Sequence, residues 1–213
     1  SYGEGFIVTN PNCSVIGLAL ALKPLQDNFG IEAVNVSTMQ AISGAGNPKT
    51  ANLDIEDNII PFIDGEEEKV EVEPKKILGI LKDGKIDFEK FILSAQCNRV
   101  NVTDGHTECV QVRLKKNVNA NEIKNAWNNF AGEPQKLNLP LSPKKPIHYL
   151  EEENFPQPKY QRNLENGMAV AVGRLRDDPL FDFEFVILSH NTVRGAAGGA
   201  ILCAELMKEK GYI

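Results

Sequence analysis

Apolar residues recur along this chain in two rhythms, one of about 3.6 and one of two. The run SVIGLALALKPLQDNFG (residues 14–30) carries the first and stops at a glycine, which predicts a helix. Ahead of it GEGFIVTN (3–10) reads as a strand. Behind it IEAVNVSTMQAI (31–42), rich in β-branched residues and closed by the turn SGAG, reads as a buried strand. Residues 47–68 are loop-like around an apolar island, NIIPFI. The segment KVEVEPKKILGIL returns to helical spacing around a charged face, with Pro74 expected near its first turn. FILSAQCNRVNV (91–102) and HTECVQVRL (106–114) predict two strands joined by TDG, and residues 119–131 a helix capped by an Asn or Ala-Asn start. The proline-rich stretch 133–162 reads as a surface loop or arm. GMAVAVGRLRDD and FDFEFVILSH read as an antiparallel pair, and residues 191–212 as a helix capped by Asn191 or Thr192. The sum is an α+β chain: a mixed, largely antiparallel sheet with helices packed on one face and right-handed crossovers between any parallel neighbours.

Composition narrows the class. With 213 residues, 42% hydrophobic and 24% charged, the chain can bury a sizeable core as one large domain with or without an appendage. A net charge of −6 argues against a nucleic-acid partner, which asks for a basic face. No apolar run reaches membrane-spanning length, and no signal peptide is read in the chain. The four cysteines (Cys13, Cys97, Cys109, Cys203) lack metal-ligand spacing and are too sparse for a disulfide scaffold, so no metal and a reducing, cytoplasmic compartment are expected.

Chemistry enters at Cys13, between a polar turn and the first long helix. It reads either as a thiolate favoured by unpaired helix N–H groups or as a small buried hydrophobe. Gln40 ends a buried strand just before SGAG and needs partners there, for structure or for function. Glu73 and Lys76 stand three apart on one helix face, which alone is an ordinary solvated pair. Arg99 and His106 stand seven apart across a strand end and its turn: Arg suits a carboxylate, and His suits acid–base work near neutral pH. His148 and His190 lack such a setting. NTVRGAAGG, beginning at Asn191, is a polar helix start whose small residues let something flat approach.

In this order, NPNCS, QAISGAG, DNIIPFIDGEEEK, EPKKIL, RVNVTDGH and NTVRGAAGG resemble aspartate-semialdehyde dehydrogenase, most closely its archaeal and fungal branch. The resemblance runs over nearly the whole chain but starts mid-family. It implies a glyceraldehyde-phosphate-dehydrogenase-like catalytic and dimerisation domain (1–190), and a C-terminal helix (191–213) that would pack on an N-terminal Rossmann domain absent here. It implies NADP-dependent reductive dephosphorylation of 4-phospho-L-aspartate to the 4-semialdehyde, a step toward lysine, threonine and methionine, through a cysteine thioester. Cys13 would be the nucleophile, His106 the acid and base, and Gln40 would orient the acyl group. Arg99 would hold the substrate carboxylate, Glu73 its ammonium and Lys76 its phosphate. Ser43, Gly44 and Asn191 would meet the nicotinamide end of NADP, most of whose site lies in the missing domain. A homodimer or homotetramer is expected. The rival readings are malonyl-CoA reductase of the same superfamily, and a fragment that serves only dimerisation.

Overall fold

The computed structural model describes residues 7–46 and 54–213. Helix α1 (Val15–Phe29) is unbroken, and Pro24 sits inside it. Its apolar face, including Leu18, Leu22 and Leu25, is fully buried. Strand β1 (Ile31–Gln40) follows through Gly30, whose φ of 71° is a conformation that glycine adopts without strain. Then come β2 (Ile59–Ile60), helix α2 (Glu66–Ile77), the hairpin β3 (Ile80–Lys82) and β4 (Lys85–Asp87), and the long strands β5 (Ile92–Val100) and β6 (His106–Leu114). Helix α3 (Ala120–Asn128), the single turn α4 (Glu133–Lys136), β7 (Ile147–Leu150), the single turn α5 (Pro158–Gln161), β8 (Val170–Asp177), β9 (Phe183–Ser189) and helix α6 (Gly198–Glu209) complete the chain.

Seven strands form one sheet in the order β2-β5-β1-β6-β9-β8-β7, while β3 and β4 pair apart from it. The β1–β5 and β7–β8 pairs are parallel and the rest of the sheet is antiparallel, so the mixed, largely antiparallel α+β architecture expected from the sequence is the one observed. The strands β5 and β6, though joined by a short turn, are not neighbours: β1 lies between them. That insertion brings the end of β1, the end of β5, the start of β6 and the end of β9 to one rim of the sheet.

Helices α1, α2 and α3 cover one face. The core beneath them joins Leu18, Leu22 and Leu25 to Val34, Val36, Val110, Val112, Phe185 and Ile187. Trp127 of α3 locks the far end: its indole N–H donates to the Ala21 carbonyl at 2.9 Å, and its ring meets Phe185 edge-on and stacks on Tyr149. A second, small cluster of Leu139, Met168 and Leu202 seats the inner side of α6, with Val193 and Leu206 alongside, while Ile201 stays exposed.

The sequence expectations differ from the structure in several places. The expected helix over 69–81 ends early, because Ile80 and Leu81 belong to β3, and the expected loop over 47–68 holds β2 and the start of α2. Residues 7–10 of the expected first strand join no sheet, and residues 3–6 lie outside the described residues. Pro74 falls near the end of α2, because the helix starts earlier, at Glu66. The stretch 133–162 is more than a loop, since β7 within it forms the parallel edge of the sheet. The last segment has no side-chain cap: a π turn over Val193–Ala197 precedes α6, and the Asn191 side chain is engaged elsewhere.

Candidate active site

Register alone assembles the floor of the site. Across the sheet Gln40 of β1 faces Arg99 of β5, and His106 of β6 faces Ser189 of β9. One row deeper, Thr38 faces Cys97 on one side and Glu108 on the other. Strand periodicity points all of these side chains to the helix-covered face, and every one is buried. Burying so many polar groups is unfavourable unless they find partners, which marks this rim as built for something other than stability.

The turn before α1 lies over this floor and is fastened by Asn12. The Asn12 side-chain oxygen accepts the N–H groups of Ser14 (2.8 Å) and Val15 (3.2 Å), so Asn12 caps the helix. Its amide donates to Glu66 Oε1 at 2.8 Å, and its backbone N–H donates to Glu73 Oε2 at 2.8 Å. Cys13 is thereby held with Sγ 3.3 Å from His106 Nε2. Asn12 takes the Ser14 and Val15 N–H groups, so of the first helix donors it is the Cys13 N–H itself that favours the thiolate, and that help is outweighed. Burial, then the Glu66 charge, push the Cys13 thiol up to about 11, with the Cys13 backbone N–H and then Arg99 offsetting part of this. The sequence expectation of a depressed thiol at a helix start is therefore overturned.

His106 is fixed by its other nitrogen. The Ala41 backbone N–H donates to His106 Nδ1 at 3.0 Å. Nδ1 thus carries a lone pair, and the neutral ring carries its proton on Nε2, facing Cys13. Burial, then Arg99 and His190, push His106 down to about 3, so it stays neutral across physiological pH. A ring that already holds its proton on Nε2 is a donor toward Cys13; it is not placed to take the thiol proton. Of the acid and base roles expected for it, this geometry favours the acid.

Arg99 Nη1 donates to the Ala41 carbonyl at 2.7 Å, so one peptide segment ties the guanidinium to the imidazole. Gln40 Nε2 donates to Glu66 Oε1 at 2.9 Å and reaches Thr38 at 3.3 Å. Gly44 packs against both Arg99 and His106: a Cβ there would lie 2.7 Å from Arg99 Nη1. Asn191 donates through Nδ2 to Ser43 Oγ at 2.9 Å and accepts the Gly105 N–H at 2.8 Å, which pins the last loop over the start of β6. Gly195 packs on Cys13 itself.

The structure therefore brings Cys13, Gln40, Ser43, Gly44, Arg99, His106 and Asn191 together. Glu73 and Lys76 stand to one side, lining a groove of about 470 Å³ with Asn10 and Pro11, and Glu73 is occupied with the Asn12 N–H. The carboxylate seated among Cys13, Gln40 and Asn12 is Glu66, a residue sequence reasoning passed over. Its signal was faint: EEEK reads as a solvated helix start, and only tertiary packing singles out the first Glu as 6% exposed. Among the described residues, no His, Cys, Asp or Glu cluster could hold a metal, and no helix is long and apolar enough to cross a membrane.

The raised thiol has a measurable consequence. Thiolate fraction controls alkylation, so iodoacetamide should label Cys13 slowly at neutral pH, with a rate rising about tenfold per pH unit in alkali. Glu66→Gln removes a charge that opposes the thiolate and should speed labelling at any fixed pH. Fast labelling that is independent of pH would contradict the geometry.

Comparison with known proteins bears on the family and the fold. The family model described as "Semialdehyde dehydrogenase, dimerisation domain" matches residues 22–194. An aspartate-semialdehyde dehydrogenase of Methanothermobacter thermautotrophicus is 50% identical over 208 residues, spanning 97% of this chain and 60% of that relative. The Saccharomyces cerevisiae aspartate-semialdehyde dehydrogenase is 46% identical over 218 residues, spanning 98% and 60%. The crystal structure of the Candida albicans enzyme with NADP superposes with a TM-score of 0.89 at 42% identity, covering 98% of this chain and 60% of that one. Aspartate semialdehyde dehydrogenase II of Vibrio cholerae complexed with ASA gives 0.78 at 27% identity, covering 95% and 62%. The chain spans about 60% of the length of the curated relatives it matches.

Proposed function

The chain belongs to the semialdehyde dehydrogenase family through its dimerisation domain, and from that premise we propose that it supplies the nucleophile and substrate pocket of an NADP-dependent aspartate-semialdehyde dehydrogenase. The observation that carries the reading is a half-buried thiol 3.3 Å from a neutral, buried imidazole, with a guanidinium and a carboxylate on either side. A zwitterionic acyl phosphate matches that charge pattern: Arg99 takes its α-carboxylate and Glu66 its ammonium. This moves the ammonium role from Glu73 to Glu66, leaving Glu73 to hold the Asn12 turn in place. Lys76, in the neighbouring groove, remains available to the phosphate.

Substrate binding then prepares the nucleophile. An ammonium on Glu66 cancels the charge that opposes the Cys13 thiolate, so the thiol is activated only when the amino-acid end is in place. Cys13 Sγ forms a bond to the acyl carbon as the carbon–oxygen bond to phosphate breaks. The thiol proton leaves on the phosphate, which departs as hydrogen phosphate, and no base on the protein is required. His106 Nε2–H donates to the acyl oxygen as negative charge develops there, and Gln40 keeps the acyl group in line. Bound beside Ser43, Gly44 and Gly195, the nicotinamide cofactor would supply the hydride that reduces the thioester. The semialdehyde would then leave Cys13 as a thiolate, which takes its proton back from solvent.

The residues present fit the nicotinamide end of that cofactor. Ser43 Oγ accepts from Asn191 and keeps its own O–H to donate, Gly44 leaves space beside His106, and Gly195 leaves space against Cys13. The remainder of the cofactor site, the Rossmann domain of the longer protein, the docking of residues 191–213 on that domain, and a cytoplasmic location all belong to this proposal. So does self-association as a homodimer or homotetramer. It is supported by the family's dimerisation role and by the sheet face opposite the helices, where Asn35, Ser37, Met39, Thr107, Cys109 and Gln111 are only half-buried.

The test is substrate choice in the full-length protein. Turnover with aspartyl phosphate, and in reverse with aspartate semialdehyde, NADP and phosphate, is expected. Malonyl-CoA has no ammonium for Glu66 and should be a poor substrate. Preference for malonyl-CoA would sink this reading in favour of the rival reductase.

A further inference from the structure

Behind the Cys13–His106 pair, four buried polar atoms have no hydrogen-bond partner: Ser14 Oγ, Ser189 Oγ and both carboxyl oxygens of Glu108. They sit on three segments, α1, β6 and β9, that pack against one another. Glu108 lies two residues along β6 from His106, on the same inner face, and Ser189 sits opposite His106 on β9. Ser14 opens α1, and Gly17, one turn on, touches Ser189: a Cβ there would lie 2.5 Å from Ser189 Oγ. All three side chains are at most 1% exposed. Register places Thr38 of β1 and Ile187 of β9 on either side of Glu108.

A carboxylate with no donor in so dry a place is strongly disfavoured, whereas a neutral carboxylic acid and two hydroxyls can all be satisfied by shared water. We propose that Glu108 is a positioning residue: a neutral carboxylic acid that, with Ser14 and Ser189, holds ordered water beneath the Cys13–His106 pair and keeps a second negative charge away from the thiol. The titratable groups that act on it or feel its charge are Glu66 from α2, Cys13 before α1, Cys97 from β5 and Cys109 on its own strand. Burial, then the Glu66 charge, push Glu108 well above the usual carboxylate range. Where it ionises, its charge is among the forces that raise the Cys13 thiol. A neutral Glu108 is thus a condition for Cys13 to be activated when the substrate neutralises Glu66. In this respect the inference rests on the reading of Cys13 as nucleophile.

The experiment uses the full-length protein with Glu108→Gln, an isostere of the neutral acid, and Glu108→Ala, which removes the water's partner. Infrared spectra at neutral pH should show a protonated carboxyl band that both variants lose. The pH profile of Cys13 alkylation should be the same in wild type and Glu108→Gln. In turnover, Glu108→Ala should lose about tenfold or more in kcat through a misplaced Cys13–His106 pair, and Glu108→Gln should recover most of that loss. If the carboxyl band is missing from the wild type, or Glu108→Gln shifts the alkylation profile to lower pH, Glu108 is ionised and the proposal is overturned. Full kcat in Glu108→Ala overturns the positioning role. The infrared and alkylation results need no substrate, so a wrong choice of substrate and a wrong reading of Glu108 give different outcomes.

Discussion

Cys13→Ser in the full-length protein is expected to lose at least roughly 10⁴-fold in kcat, as removal of an enzyme's nucleophile generally does. Serine is a substitute nucleophile only where a base takes its proton. Here the Ala41 N–H occupies His106 Nδ1, so the ring presents Nε2–H to position 13 and offers no lone pair. A hydroxyl, far less acidic than a thiol, then has no acceptor on the protein. Cys13→Ser should therefore be as inactive as Cys13→Ala, with an unchanged circular dichroism spectrum and melting temperature. Activity of Cys13→Ser within tenfold of wild type would mean that His106 acts as a base, and the tautomer deduced from Ala41 would be wrong.

Gly195→Ala should be the most damaging substitution that leaves every reacting group in place. A Cβ at position 195 would lie 2.8 Å from Cys13 Cβ, 3.0 Å from its Cα and 3.1 Å from its carbonyl oxygen. Two of these neighbours are backbone, so the turn carrying the nucleophile must move. Asn12 resists the movement through its contacts with Glu66, Glu73 and α1. A displacement approaching 1 Å at a reacting atom costs on the order of 10²-fold in rate. The expected signature is a fall in kcat of about that size with a small change in KM, because Arg99 and Glu66 are not contacted by residue 195. Wild-type kcat in Gly195→Ala would show that Cys13 is not held as tightly as its hydrogen bonds indicate.

What could be read from the sequence, and what could not, divides along physical lines. Strand β1 was legible because β-branched residues and a closing glycine turn are local signals, and α1 because a long apolar run keeps helical period whatever it packs on. Strand β7 was missed: IHYL is four residues long, sits at the sheet edge among prolines, and is a strand only because β8 pairs with it. The insertion of β1 between β5 and β6 is likewise a non-local pairing, invisible in a sequence where those two strands look like a hairpin. In the site, Cys13, Arg99 and His106 announced themselves by residue type and turn position. Glu66 did not, since an acidic run at a helix start normally faces water. The depressed thiol was expected because burial and the Glu66 charge, which only tertiary packing brings to Cys13, were not in view, nor was Asn12 as the acceptor of the Ser14 and Val15 N–H groups. Glu108 was legible in principle. In HTECVQVRL, period two places it on the face of Val110, Val112 and Leu114, and a glutamate on such a face is a misfit that calls for an explanation.

The central claim, that Cys13 becomes acylated, is tested most directly by trapping. Full-length protein is mixed with aspartate 4-semialdehyde and NADP in the absence of phosphate, quenched in acid and digested for peptide mass mapping. The account predicts an aspartyl mass on the peptide carrying Cys13, lost on adding phosphate before the quench and absent from Cys13→Ser. An aspartyl mass on any other residue, or none at all in protein that turns over, would contradict it.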